Sequence, residues 1–309
     1  MLSRIAEAVF WIGRYLERAD DTARILDVHL HLLIEDPYLP EPLACAGLLD
    51  VMGVPVVDGT EVDRRQVLDA LAWDMTSPSS ITGSLGAARE NARRVREIIS
   101  SELWECLNTA WIGLPAARRR ATAPHQVLRW VRERAALVAG IADASMSRDD
   151  AWRFLVLGRS LERADMTARL VASSAITGGA GAWTTLLRSC GAYESYVRTY
   201  RGVASDARAA EFLLLDRLFP RSVLYALGSA EECLDELTPA PDRAGVKDRG
   251  RRVLGRARSG LEFREIEEIL ADLPAQMDRV QRACSEASDA VSWRYFPQAV
   301  TTPWTEEAS

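Results

Sequence analysis

Two stretches of the sequence set acids and arginines at helical spacing. Gly13, Glu17, Asp20 and Arg24 step by four, three and four residues, which places them along one face of a helix. Gly158, Glu162, Asp165 and Arg169 form the same stripe later in the chain. Arg14 and Arg159 each follow the stripe's glycine, and the spacing puts Arg18 and Arg163 further round the helix from it. Such a stripe admits three kinds of chemistry. Asp20–Arg24 and Asp165–Arg169 are i, i+4 ion pairs that can clip their own helix or bridge to another. Two Glu-x-x-Asp pairs with facing arginines can bind a charged ligand, such as an amino-acid or peptide end, through charge-assisted hydrogen bonds. Carboxylates alone can hold Mg²⁺ or Mn²⁺, although the facing arginines count against an ion. In an enzyme, Glu17 or Glu162 would be the base and the arginines clamps for carboxylate or phosphate. A glycine in mid-helix costs roughly 1 kcal/mol relative to alanine, so Gly13 and Gly158 predict that another helix or a ligand approaches the backbone there.

A second polar cluster, Arg89-Glu90-Asn91, either solvates a helix face or lines the same site; Asn91 is an unusual choice in mid-helix. Arg118-Arg119-Arg120 reads as a solvated loop. Other chemistries find little footing. His29, His31 and His125 make neither Glu-x-x-His nor His-Glu-x-x-His spacing, and no metal centre is expected. The five cysteines, Cys45, Cys106, Cys190, Cys233 and Cys284, are dispersed, which suits reduced, buried thiols in a cytoplasm. Lys247 is the sole lysine, no phosphate-binding loop is present, and no cofactor is expected. A net charge of −6 argues against non-specific nucleic-acid binding. Ala8–Gly13 is too short an apolar run to span a membrane.

The stripes need long helices to carry them, and the apolar pattern supplies these. Leu2, Ile5, Val9, Ile12, Leu16, Ala19, Ala23, Leu26, Leu30 and Leu33 alternate threes and fours, a seam that stops before Pro37. Phe154, Leu157, Leu161, Ala164, Ala168, Val171 and Ala175 repeat it, ending near Gly178-Gly179. Pro-x-Ser turns at Pro78 and Pro220 open further helices, the first running on through Glu97. More helices are expected at about Val127–Ala144 and Glu262–Ser288. Gly53–Gly59 reads as loop, Pro239–Gly250 as a polar linker, and the residues from Tyr295 as an extended tail. With 48% hydrophobic and 27% charged residues, the chain has the composition of a globular all-α protein.

The two stripe helices match residue for residue. Gly13-Arg14-Tyr15-Leu16-Glu17-Arg18-Ala19-Asp20-Asp21-Thr22-Ala23-Arg24 aligns with Gly158-Arg159-Ser160-Leu161-Glu162-Arg163-Ala164-Asp165-Met166-Thr167-Ala168-Arg169 at an offset of 158 − 13 = 145. Asp74, Pro78, Ser80, Leu85, Gly86 and Glu90 recur as Asp216, Pro220, Ser222, Leu227, Gly228 and Glu232, offset by 216 − 74 = 142. Leu48, Leu49 and Gly53 recur as Leu186, Leu187 and Gly191. Three blocks in one order predict a tandem duplication, residues 1–147 and 148–294 with a tail 295–309, its helical bundles packed about a pseudo-twofold axis as one body.

The Leu-Glu-Arg-Ala-Asp helices, the run from Ser77-Pro78-Ser79-Ser80-Ile81 to Trp104, and Leu215-Asp216-Arg217-Leu218-Phe219-Pro220-Arg221-Ser222 together resemble the bacterial alpha-E family, helical proteins with a Glu-Arg motif. The matching dipeptides are Glu17-Arg18 and Glu162-Arg163. The resemblance implies genetic company with a circularly permuted ATP-grasp ligase and a transglutaminase-like protein, hence peptide synthesis or modification through amide bonds. The expected role is a helical partner that presents substrate or scaffolds the ligase. An enzyme of the same pathway is the alternative, and a purely structural oligomer a weaker one.

Overall fold

The alternating three-four seam folds as read: α1 runs over Ser3–Glu35 without interruption, with Val9, Phe10, Ile12, Ala19, Ala23 and Leu26 excluded from solvent. The computed structural model describes residues 1–35, 38–57, 60–177, 182–201, 205–238 and 243–296, the side chains of 173–177 excepted. Among these residues every regular element is helical. After α1 come α2 (Glu41–Val51), α3 (Arg64–Leu68, continued by a π-helical turn Asp69–Trp73), α4 (Ile81–Arg94), α5 (Ser101–Arg120), α6 (Pro124–Ser145) and α7 (Asp150–Thr177). The chain continues with α8 (Ala182–Ser189), α9 (Tyr193–Tyr200), α10 (Asp206–Leu215), α11 (Val223–Glu236), α12 (Arg249–Glu262), α13 (Ile266–Ala271) and α14 (Leu273–Tyr295). No described helix is long and apolar enough to cross a membrane.

Helices α1 and α7 cross at the centre, and the two stripe glycines set how closely. A Cβ added to Gly13 would lie 2.1 Å from the Leu155 carbonyl oxygen, and one on Gly158 would lie 2.1 Å from that of Phe10. Only glycine at both positions lets the backbones meet, so the approaching body is the other helix. Around this crossing α1 packs against α4 and α6, while α7 packs against α11 and α14. One hydrophobic cluster draws on α1, α4–α7 and the helices that follow, so residues before and after position 147 share it. A second lies under the C-terminal half of α1, with α2, α3 and the start of α6.

The two Pro-x-Ser turns are built alike. Asp74 accepts the Thr76 backbone N–H, and Asp216 accepts those of Leu218 and Phe219. The Ser80 hydroxyl donates to the Asp74 carbonyl and caps α4 by accepting the Gly83 N–H; Ser222 does the same with the Asp216 carbonyl and the Tyr225 N–H of α11.

Some expectations need correction. The helix expected at 262–288 is two, α13 and α14: α12 ends at Glu262, the chain turns at Phe263–Glu265 and again at Asp272, and α14 starts where Pro274 fits its first turn. Helix α4 ends at Arg94, short of Glu97. Arg118-Arg119-Arg120 form the last turn of α5, not a loop; cations suit the negative end of the helix dipole, and Arg118 stacks 4.2 Å above the Trp73 ring. Tyr295 closes α14 and Phe296 is buried against Phe10, so the extended tail does not begin at 295. Residues 54–57 are loop as read. Residues 58–59, 178–179, 239–242 and 297–309 lie outside the described residues.

Candidate functional site

Each Glu-Arg dipeptide is completed by the other. On α1, Arg18 holds Glu162 of α7 with two hydrogen bonds, Nε to Oε1 at 2.5 Å and Nη2 to Oε2 at 2.9 Å. On α7, Arg163 returns the contact, its Nε donating to Glu17 Oε1 at 2.6 Å. The glutamates are 5% and 1% exposed, so these are charge-assisted bonds in a nearly dry interface. Spacing had set Arg18 and Arg163 apart from the stripes. Both nonetheless reach the facing glutamates, because the glycine crossing brings the two helices close enough for a long side chain to span.

Further bonds tie the surrounding elements in. Arg14 donates to Glu162 Oε2 at 2.7 Å and to the Ser288 hydroxyl of α14 at 3.1 Å. Arg18 also reaches the Pro78 carbonyl ahead of α4, at 3.3 Å. From the turn ahead of α11, Arg221 inserts among three carboxylates: Glu17 Oε1 at 2.6 Å, Asp20 Oδ2 at 2.5 Å, and Asp21. The expected i, i+4 pairs are present, Arg24 to Asp20 at 3.0 Å and Arg169 to Asp165 at 2.9 Å. Both arginines also lie over turns of the other half. Arg24 abuts Gly191 and Arg169 abuts Gly53, glycines with φ of +62° and +70° that a side chain would strain.

The electrostatics follow from burial against pairing. Burial alone would raise the Glu17 carboxyl, but Arg221 and Arg163 overcome it and hold it down at about 2. Burial likewise opposes Arg14 and Arg18 at Glu162, and the arginines win; its pKa lies below the ordinary range. At Asp21 burial, helped by Glu17 and Asp20, outweighs Arg221 and pushes the carboxyl up to about 8. At Asp165 burial outweighs Arg169, again upward. Arginine pairing that lowers both carboxyls makes Glu17 and Glu162 weaker proton acceptors at neutral pH. Glu17, Asp20 and Asp21 bring carboxylate oxygens within 4.8 Å of one another, a spacing that would suit a metal, yet Arg221 already supplies a cation to all three.

Beside the pairs lies a cavity of about 280 Å³ between α1, α6 and α7. One wall is small and apolar, formed by the α6 alanines with Leu16 and Leu155; the other carries Glu17, Asp20, Arg24, Arg159, Arg163 and Arg221. Arg159 stands apart from the other arginines of that wall. Its Nε is buried with no hydrogen-bond partner among the described residues, and burial together with Arg163 pushes its pKa down. Asp20 keeps Oδ2 for Arg24 and Arg221, while its Oδ1 is buried with no hydrogen-bond partner among the described residues.

Arg89, Glu90 and Asn91 find partners elsewhere. Arg89 donates to Asn108 at 2.9 Å and lies over the Trp104 ring, Glu90 pairs with Arg93 and Arg94, and Asn91 bonds the Ala87 carbonyl of its own helix. His29 is largely buried beside Cys45, and burial lowers its pKa to about 4; His31 and His125 are a ring pair with His125 exposed. All five cysteines are free, and burial raises their thiols, to about 12 at Cys190 and Cys233. Sequence spacing missed Asp21, Arg221 and Ser288. The matched blocks held a signal for two of them: Asp21 aligns with Met166 and Arg221 with Ser79, so both are charged where the other half is neutral, and they meet.

Fold and site together define a helical protein whose two Glu-Arg pairs interlock across a central crossing. The chain belongs to the Alpha-E family, described as a predicted alpha-helical domain with a conserved ER motif, whose model matches residues 1–296. It is similar to uncharacterized proteins of Mycobacterium bovis and Mycobacterium tuberculosis, 26% identical over 307 residues covering 87% of this chain. The chain spans about a third of the length of these curated relatives, 34% in each case. No solved structure matches.

Proposed function

We propose that this chain is the helical, substrate-presenting partner of a circularly permuted ATP-grasp ligase, working with a transglutaminase-like protein in cytoplasmic amide-bond synthesis or modification of peptides. The observation that carries the binding role is the saturation of Glu17 and Glu162 by guanidinium groups beside a cavity lined by Arg159 and Asp20, each of which keeps one buried polar atom without a hydrogen-bond partner among the described residues. Acids so engaged favour a holding component over an enzyme that uses them as bases. Genetic company implied by the family resemblance supports the ligase as partner. The curated relatives, which carry about two thirds of their length outside the match, agree with a region that works beside other polypeptide.

We read the architecture as a tandem duplication, 1–147 and 148–294, about a pseudo-twofold axis at the α1–α7 crossing. The reciprocal pairs Arg18–Glu162 and Arg163–Glu17, and the reciprocal contacts of Arg24 and Arg169, support that reading. Co-purification of the tagged chain from its host tests the function: the ligase should come with it, and purified chain should raise amide formation by the ligase while forming none alone with ATP and peptide. Turnover by the isolated chain would overturn the partner role.

A further inference from the structure

Three guanidiniums on the cavity wall are already engaged: Arg163 by Glu17, Arg221 by Glu17, Asp20 and Asp21, and Arg24 by Asp20. Arg159 is different. Its Nε has no hydrogen-bond acceptor among the described residues, and a buried donor left unbonded is costly, more so when it is charged. Asp20, a residue 6% exposed, lines the same cavity, and its buried Oδ1 has no hydrogen-bond partner among the described residues. A guanidinium edge matches a carboxylate, and a carboxylate oxygen matches an ammonium group. A volume of about 280 Å³ lies at the small end of ligand cavities, too tight for a nucleotide and wide enough for a small metabolite. Leu16, Leu155 and the α6 alanines offer an apolar surface for a short side chain. Ala136 on that wall is exposed, which gives the cavity a mouth.

We propose that the cavity binds a small zwitterionic α-amino acid or the like-sized dipeptide, with its carboxylate on Arg159 and its ammonium on Asp20. The assignment rests on the reading of the chain as a substrate-presenting component and names what is presented. It needs no ligase to be tested. Calorimetric titration of the purified chain with L-alanine and alanyl-alanine should show saturable binding. Propionate, which lacks the amine, and alaninamide, which lacks the carboxylate, should each bind at least about tenfold more weakly. Arg159→Gln should bind alanine and alaninamide alike. Ala139→Leu, which narrows the cavity from a half-buried position on α6, should lose binding of all probes while its circular dichroism and melting stay as in the parent. Absence of binding by folded parent protein at millimolar alanine and alanyl-alanine would overturn the proposal. So would an unchanged preference for alanine over alaninamide in folded Arg159→Gln, or undiminished binding in Ala139→Leu. If the zwitterions bind but no ligase co-purifies, the site stands and the pathway assignment falls.

Discussion

Glu17 and Asp21 sit one helical turn apart, share Arg221, and titrate in opposite directions. That difference makes a prediction with a definite sign. Glu17, held at about 2 from an ordinary 4.5, contributes stability that is whole above 4.5 and is lost as pH falls through about 2. Glu162, also lowered, adds to the same acid limb. Asp21 works the other way. Between its ordinary value of 3.8 and about 8 the folded chain keeps a proton that the unfolded chain releases, so stability declines across that window and levels off above it. Asp21→Asn, of similar shape and fixed neutral, should flatten that decline and leave the acid limb in place. Thermal unfolding at a series of pH values checks this; a variant whose melting still falls between pH 4 and 8 as steeply as the parent's would remove Asp21 as the cause.

Helices α1 and α7 touch because a glycine stands at the crossing on each. Gly→Ala inside an exposed helix gains about 1 kcal/mol from propensity, and Gly140 of α6, with nothing within 4 Å of an added Cβ, should follow that rule. Gly13 and Gly158 should invert it. Their added Cβ atoms would meet backbone carbonyls at 2.1 Å, which no rotamer change relieves, so each Ala variant should lose about 2 kcal/mol or more. Urea denaturation of the three variants reads the sign directly, and a stabilised Gly13→Ala would mean that the helices do not meet there. The long seam helices were legible because their three-four spacing has one solution; Ile12, Ala19 and Leu26 are buried as that spacing requires. The division of 262–288 was not, since Phe263, Arg264 and Asp272 carry no strong breaker and only Pro274 marks a start. Helix α5, with Pro115 inside it, was not among the helices expected from the sequence.

Across the whole molecule, the site joins residues that spacing cannot bring together. Arg221 is 200 residues from Asp21 and Ser288 is 274 from Arg14, so neither was readable along one helix, whereas Glu17, Asp20, Glu162 and Asp165 were. Local order therefore showed the acids, and tertiary packing chose their partners. Each Glu-Arg dipeptide works across the crossing and not within itself. A double-mutant cycle tests this, with Glu162→Gln and Arg18→Gln as one pair and Glu17→Gln and Arg18→Gln as the other. The interlocked arrangement predicts a coupling of about 1–3 kcal/mol for Glu162 with Arg18, and additivity within about 0.5 kcal/mol for the neighbours Glu17 and Arg18. Additivity in the first pair, or strong coupling in the second alone, would contradict it.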